Sequence, residues 1–185
     1  MVFAHDVELA LAAAVWLANS AEPPDTLTTV DQLDEFAREH HYTGSRRHDR
    51  SELQEVRELR PRLRSVLVAS RDEAVPLVNA MLRDGRALPQ LQRHGDTDWH
   101  LHAVEDERPF AERIMVETAM AMVDVIRADE MSRLARCHDP HCDGVVLDLS
   151  RNRSRRFCST SCGNRVAAVA YRARQRSSSG DHSAG

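Results

Sequence analysis

Residues 137–165 read CHDPHCDGVVLDLSRNRSRRFCSTSCGNR, and this stretch contains all four cysteines of the 185-residue chain. The thiols are spaced C-x4-C, then fifteen residues, then C-x3-C, at Cys137, Cys142, Cys158 and Cys162. Two close pairs with a short insert are typical of a tetrahedral zinc site, because each pair turns both sulfurs inward and the insert lets the chain return. Four protein ligands leave no position for water, so the pattern predicts one structural Zn²⁺.

Three other interpretations of the cysteines remain open at this stage. An even number of cysteines also suits two disulfides, although disulfides belong to oxidising compartments. His138 or His141, inside CHDPHC, can replace a cysteine as a ligand, although the simpler interpretation makes both of them loop residues. A redox role is less favoured, since neither pair has the C-x-x-C spacing.

This stretch resembles the CGNR zinc finger, which is named after the residues that stand here as Cys162–Arg165. The approach DLSRNRSRR (Asp148–Arg156) and the Arg-rich helix that follows also match the family pattern, whereas Phe157 replaces the expected tryptophan. A helical region ahead of a C-terminal finger is similar to the ABATE-type domain that accompanies such fingers. The resemblance implies a bacterial, often stress-linked transcription regulator that binds DNA, without specifying a target.

The charged residues divide between two parts of the chain. Residues 1–130 carry 15 Arg and 25 acidic residues, a net charge of −10, whereas residues 131–176 carry 10 Arg and three acidic residues, a net charge of +7. An acidic body with a compact basic module is expected when only the module contacts a polyanion. We therefore predict a body at 1–130, a zinc finger at 131–176 and a disordered tail at 177–185.

The N-terminus contains one apolar run, Leu9–Ala21. Asp6 and Glu8 precede it and no basic residue does, which is unlike a secretory signal. Its 13 residues are also fewer than the roughly 20 that cross a bilayer. We therefore expect no membrane association and a cytoplasmic location, where thiols stay reduced.

The apolar pattern predicts a mainly α-helical body with a small β component. Helices are predicted at about residues 6–20, 30–40, 50–69, 71–84 and 109–130. Capping boxes at Thr29-x-x-Gln32 and Ser70-x-x-Glu73 start two of them, and Pro61 is expected to kink or divide the third. Segments 88–93 and 98–104 flank HGDT and predict a β-hairpin.

The hairpin carries the best candidate for a second metal or acid–base site. This cluster consists of His94, Asp96, Asp98, His100 and His102. Strict alternation of apolar and polar residues in the second strand favours an ordinary hairpin instead. With no nucleophile–base pair and no phosphate loop in the sequence, we expect no enzyme.

The finger is predicted to fold as a knuckle, a hairpin and a helix, in a treble-clef-like arrangement. Val145–Leu149 and Arg155–Phe157 are expected to form the hairpin, with Cys158 and Cys162 at the start of the helix. The helix residues expected to pack on the hairpin are Val166, Val169, Ala170 and Ala173. So short a module buries little apolar area, so we expect it to be unfolded without zinc.

Arginines on this helix and on the hairpin tip form the predicted nucleic-acid contact. At about 100° per residue, Arg172 and Arg176 fall within about 20° of Arg165 and form a basic stripe. The full predicted contact set is Arg151, Arg153, Arg155, Arg156, Asn164, Arg165, Arg172 and Arg176. Such residues bind phosphates and fix register. Asn164 and Arg165 either read base edges or support the knuckle, with Arg165 pairing with Asp148.

Two functions follow from these observations. The first is a zinc-dependent DNA-binding transcription regulator whose helical body senses a small-molecule effector, forms a homodimer or contacts other proteins. The second is a zinc-stabilised module that binds RNA or protein through its basic face.

Overall fold

Six α-helices and two β-hairpins make up the described part of the chain. A computed structural model describes residues 2–93 and 99–180, with side chains for all of these except His100 and residues 176–180. The elements in chain order are α1 (His5–Asn19), α2 (Val30–Glu39), α3 (Arg50–Leu67), α4 (Arg71–Asp84), β1 (Gln90–Gln92), β2 (His100–His102), α5 (Phe110–Arg127), a 3-10 turn (Met131–Arg133), β3 (Leu134–Arg136), β4 (Val145–Leu147) and α6 (Thr160–Gly180). The predicted mainly α fold with a small β component is confirmed.

Side-chain caps begin three of the body helices. The Thr29 hydroxyl accepts from the Gln32 N–H at 3.2 Å, and the Gln32 side chain accepts from the Thr29 N–H at 3.1 Å. Ser70 and Glu73 form the second predicted capping box at the start of α4, and Asp49 caps α3. Each cap satisfies N–H groups that the first helical turn leaves without partners.

The third helix, α3, continues through Pro61 as one element, so of the two predicted outcomes the division into two helices does not occur, and the kink stays a prediction. Pro61 is exposed, whereas Leu59 and Leu63 are buried. The proline ring therefore removes a hydrogen bond on the exposed side of the helix. Packing of the opposite, apolar face keeps the helix continuous.

The core of the body is organised around α5, which packs against α1, α3 and α4. Ile114, Val116 and Met122 are fully buried there. Four of the eight aromatic residues of the chain gather at one end of this core. Trp16 and Phe36 lie with ring centroids 5.0 Å apart, close to Tyr42 and Phe110.

The strands of the finger join the core of the body. Leu134, Val145 and Leu147 are buried in the same continuous apolar cluster as α1 and α5. β3 pairs antiparallel with β4, with Leu134 opposite Leu147. The predicted pairing of Val145–Leu149 with Arg155–Phe157 is therefore wrong. β4 is buried along its length, and β3 places the apolar Leu134 opposite Leu147. The predicted strand, Arg155–Phe157, would have placed arginine side chains beside this buried strand.

Side chains from the body also bind the backbone of the finger. Asn19 donates to the Val145 carbonyl at 2.8 Å and accepts from the Val145 N–H at 2.6 Å, as a neighbouring strand would. Arg64 of α3 donates to the Asp143 carbonyl and pairs with Glu22 at 2.6 Å. We call this contact between α1, α3 and residues 143–147 the seam. It satisfies strand-edge groups that would otherwise be buried without partners.

The predicted hairpin in the body also forms, with Leu91 opposite Leu101. Its apolar side chains face solvent, since Leu91 is 65%, Trp99 63% and Leu101 44% exposed. Residues 94–98 and the side chain of His100 lie outside the described residues. The candidate cluster of His94, Asp96, Asp98, His100 and His102 therefore stays a prediction.

A half-buried carboxyl group, that of Glu117, lies beside the aromatic end of the core. Burial raises the pKa of Glu117 to about 7, and the nearby Arg113 offsets this only in part. Burial and the charge of Glu117 together raise the pKa of Tyr42, whose hydroxyl has no hydrogen-bond partner among the described residues. The body thus contains a carboxyl group that is half protonated near neutral pH.

Replacement of Glu117 by glutamine is expected to remove a pH dependence of stability. The folded state binds the extra proton between the ordinary value of 4.5 and the raised pKa of about 7, so it loses stability as the pH rises through this window. The contribution to the free energy of unfolding is on the order of 2–3 kcal/mol. Urea unfolding at acidic and slightly alkaline pH measures it as the difference between wild type and Glu117→Gln.

The exposed Glu107 provides the control for this measurement. Glu107→Gln should keep the pH dependence of the wild type. If Glu117→Gln and wild type lose the same free energy of unfolding across this pH range, the Glu117 carboxyl is not the group responsible.

Candidate metal centre and basic surface

The four thiols meet where the β3–β4 connection approaches the start of α6. Cys137 and Cys142 bound this connection, the knuckle, and Cys158 and Cys162 flank the first residues of α6. All four sulfur atoms lie within 4.8 Å of one another, with Cys142 Sγ 3.5 Å and Cys162 Sγ 3.7 Å from Cys158 Sγ. Zn–S bonds of about 2.3 Å in a tetrahedron place sulfurs roughly 3.8 Å apart. The four cysteines therefore form one zinc site.

The alternatives to four thiolate ligands are not supported. All four cysteines are free thiols rather than disulfides. His138 and His141 are exposed and do not belong to the four-cysteine group, the one cluster of metal-ligating side chains found in the described residues. Both histidines are loop residues, as the simpler interpretation predicted.

The surroundings of the sulfurs favour a bound dication. Burial raises the pKa of the Cys158 and Cys142 thiols, whereas a hydrogen bond with Ser159 lowers the pKa of Cys162. A divalent cation offsets the cost of holding several thiolates together. Gly144 leaves the space for this group, since a Cβ there would lie 2.7 Å from Cys158 Sγ.

An ion pair links the knuckle to α6. The Asp139 side chain is 1% exposed and accepts from the His141 N–H at 3.0 Å and from Arg165 Nε at 2.5 Å. The His141 N–H and, secondarily, Arg165 lower the pKa of Asp139. Arg165 also donates to Cys162 Sγ at 3.4 Å. Arg165 therefore contacts both the knuckle, through Asp139, and the thiol of Cys162, a position from which it can orient a metal ligand.

The predicted partner of Arg165, Asp148, has a different role. This buried carboxylate accepts from the N–H groups of Ser150 at 2.8 Å and Arg155 at 2.6 Å, and hydrogen bonding with Ser150 and Arg155 lowers its pKa. The predicted pair between Arg165 and Asp148 is therefore wrong. Sequence reasoning missed Asp139, although an acidic residue between two ligands in so basic a module was an available signal.

The predicted nucleic-acid contacts separate into two groups. Arg153 pairs with Glu130 at 2.8 Å, and Arg155 donates to the backbone carbonyls of Leu147, Phe157 and Cys158 at 3.3–3.4 Å. Arg155 and Arg165 therefore make contacts within the finger, whereas Arg153 links the finger to the end of the body. The predicted contacts whose exposed side chains have no partner among the described residues are Arg151, Arg156, Asn164 and Arg172. The side chain of Arg176 lies outside the described residues.

The last helix, α6, leaves the rest of the finger after its second turn. Every described side chain from 167 to 175 is exposed, including Val169 at 53% and Tyr171 at 57%. Of the predicted packing residues, only Val166 is half-buried, so the prediction is wrong for Val169, Ala170 and Ala173. The hairpin packs on the body, which takes the apolar surface that α6 was expected to cover. The helix continues to Gly180, past the predicted start of the tail, and residues 181–185 are outside the described part.

The four-thiol site at the junction of a short hairpin and a helix defines a zinc finger, joined here to a helical body. Residues 133–175 match the CGNR zinc finger, and residues 9–129 match ABATE, described as a putative stress-induced transcription regulator. The chain belongs to the ABATE family and carries a C-terminal CGNR zinc finger. No curated protein matches the sequence.

Two further observations bear on the class of protein. Both matched families are named as a zinc finger or a regulator, and neither is an enzyme family. Among the helices of the described residues, none is long and apolar enough to cross a membrane.

Removal of zinc is expected to disorder only part of the finger. Chelation should expose the amides of the knuckle and the first turn of α6, while β3 and β4 stay protected because they share the core of the body. Hydrogen exchange with and without a chelator measures this difference. Loss of protection throughout residues 134–147 would instead show that the metal supports the whole finger.

Replacement of Asp139 by asparagine should weaken zinc retention without removing a ligand. The variant keeps the size of the side chain but loses the charge-assisted hydrogen bond to Arg165. Loss of a residue that helps to orient metal ligands lowers metal affinity roughly 10–100-fold. Competition with a chromogenic chelator measures the change. Asp143→Asn is the matched control, because Asp143 is exposed and lies beside Cys142. Equal zinc affinity in both variants would contradict the role given to Asp139.

Proposed function

We propose that this protein is a zinc-dependent DNA-binding transcription regulator whose finger contacts DNA through α6 and the arginines around the knuckle. The observation that supports it best is the free positive charge of the finger. The exposed arginines of the finger whose side chains make no hydrogen bond or ion pair among the described residues are Arg136, Arg151, Arg156, Arg172 and Arg174. Unpaired arginines on one small module are the electrostatic requirement for binding phosphates.

The exposed part of α6 suits insertion into a DNA groove. Its side chains from 167 to 175 are exposed, and a single α-helix fits the major groove of B-DNA. Arg172 and Arg174 point about 160° apart around the helix axis. They can therefore reach phosphates on the two strands that border one groove. A helix without tertiary packing is marginally stable in water, so a partner for this surface is expected.

The knuckle contributes a second group of charges. The Arg156 carbonyl accepts from the His138 N–H at 2.9 Å, which brings Arg156 next to the knuckle and to Arg136 on β3. These positions supply further phosphate contacts and little base information. The exposed Asn164, in the first turn of α6, is the predicted residue left to read a base edge.

In this proposal, zinc fixes the position of α6 relative to the body. Cys158 and Cys162 tie the start of the helix to the knuckle, and the seam ties the knuckle to the body. Four protein ligands give the ion a structural role. We place the protein in the cytoplasm as part of the same proposal, because DNA is accessible there and thiols stay reduced.

A salt titration of DNA binding tests the proposal. Arg156→Ala/Arg172→Ala should weaken binding of the zinc-loaded protein to any duplex, and should flatten the slope of log K against log salt by about 2. Fluorescence anisotropy with labelled duplexes measures both quantities. Arg50→Ala/Arg83→Ala, which removes the same charge from exposed positions on α3 and α4, is the matched control. A slope that changes equally in both double variants would contradict a specific basic surface.

The alternative function, a zinc-stabilised module that binds RNA or protein, is separated by the same measurement. Selection from a random duplex pool should enrich a short motif if the protein is a DNA-binding regulator. Tighter binding to single-stranded RNA of equal length would favour the alternative. DNA binding that survives complete zinc removal would contradict the zinc-dependent mechanism.

A further inference from the structure

A cleft of about 410 Å³ lies at the seam between the body and the finger. Trp16, Thr26 and His40 line its body side, and Leu147, Arg155 and Cys158 line its finger side. Its volume falls within the range of small-molecule sites, which combine an apolar wall with few polar groups. Side chains of the body and the zinc ligand Cys158 therefore line the same cleft.

The cleft contains one cationic side chain, Arg155, that makes no ion pair among the described residues. Its lining residues all belong to the described part of the chain, and Arg155 is the one arginine among them. Cys158, which also lines the cleft, belongs to the four-cysteine group, so the charge of its thiolate would be shared with the zinc ion. None of the lining residues is acidic, and burial lowers the pKa of His40, which keeps its ring neutral. The Arg155 guanidinium donates to carbonyls at 3.3–3.4 Å and makes no ion pair among the described residues. An anion in the cleft would therefore gain a charge-assisted contact.

The opposite wall of the cleft is aromatic. The Trp16 ring lies 6.2 Å from the His40 ring in an edge-on arrangement and 5.0 Å from Phe36, which fixes its orientation. Aromatic side chains held in this way offer a preformed surface to a planar ring. The Thr26 hydroxyl, which has no partner among the described residues, adds one hydrogen-bonding group.

We propose that this cleft binds a small aromatic monocarboxylate, with its ring against Trp16 and its carboxylate on Arg155. The occupant would bridge α1 and the segment that leads into Cys158, because Arg155 also donates to the Cys158 carbonyl. Binding at this site goes beyond the proposed function. An occupant that shifts the start of α6 would also change DNA affinity, and that effect alone rests on the proposed function.

Calorimetry with two probes of equal shape tests the binding site. 1-Naphthoate should bind the zinc-loaded full-length protein, and neutral 1-naphthamide should bind at least about tenfold more weakly, because a hydrogen bond to a charged group is lost. Arg155→Gln should weaken naphthoate binding by about the same factor. Arg83→Gln, which removes a distant exposed arginine, should leave the affinity unchanged.

A second variant covers the case in which Arg155→Gln disturbs the finger. Ala12→Phe places a ring in the cleft from α1 and keeps Arg155, so it should abolish binding while zinc content and thermal melting stay normal. NMR locates the probe, because Trp99→Phe leaves Trp16 as the one indole of a chain with two tryptophans. Naphthoate should shift that indole signal.

Three results would overturn the proposal. They are equal affinity for naphthoate and naphthamide, unchanged naphthoate affinity in both cleft variants, and no naphthoate binding up to about 1 mM. DNA is absent from these measurements, so their failure leaves the DNA-binding proposal in place. A failure of DNA binding would likewise leave the cleft proposal in place.

Discussion

The finger depends on the burial of β4 against α1. Val145 and Leu147 enter the core of the body, and the Asn19 side chain completes the edge of the strand. A module of this length buries too little apolar surface to fold alone, and the body supplies the missing area. We therefore expect a narrower role for zinc, which is to fix the knuckle against the first turn of α6. This arrangement makes the body and the finger one structural unit.

The features that the sequence predicted well are those set by local rules. Cysteine spacing determines the ligands, because only nearby thiols can turn toward one ion. The capping boxes at Thr29 and Ser70 depend on residues three positions apart. The periodic apolar face of α5 marks its burial without knowledge of any neighbour. Each of these signals lies within one short segment of the chain.

The features that it missed depend on distant contacts. β3 has three residues and no alternation of its own, and its pairing with β4 follows from the shared core of the body. Free and structural arginines look alike in sequence, since Arg153 differs from Arg151 only by reaching Glu130. Likewise, Arg165 binds Asp139 and not Asp148 because the path of the knuckle brings Asp139 next to the start of α6. Tertiary structure decides these partners.

The seam also has a consequence for how the protein is made. α1 leaves the ribosome long before the cysteines do, and chains fold from the N-terminus as they are synthesised. The helical body can therefore close while the metal-binding residues are still in the exit tunnel. We expect the nascent thiols to settle on a surface that already exists and to take up their ion there. Their exposure to oxidants and to competing metals would then be brief.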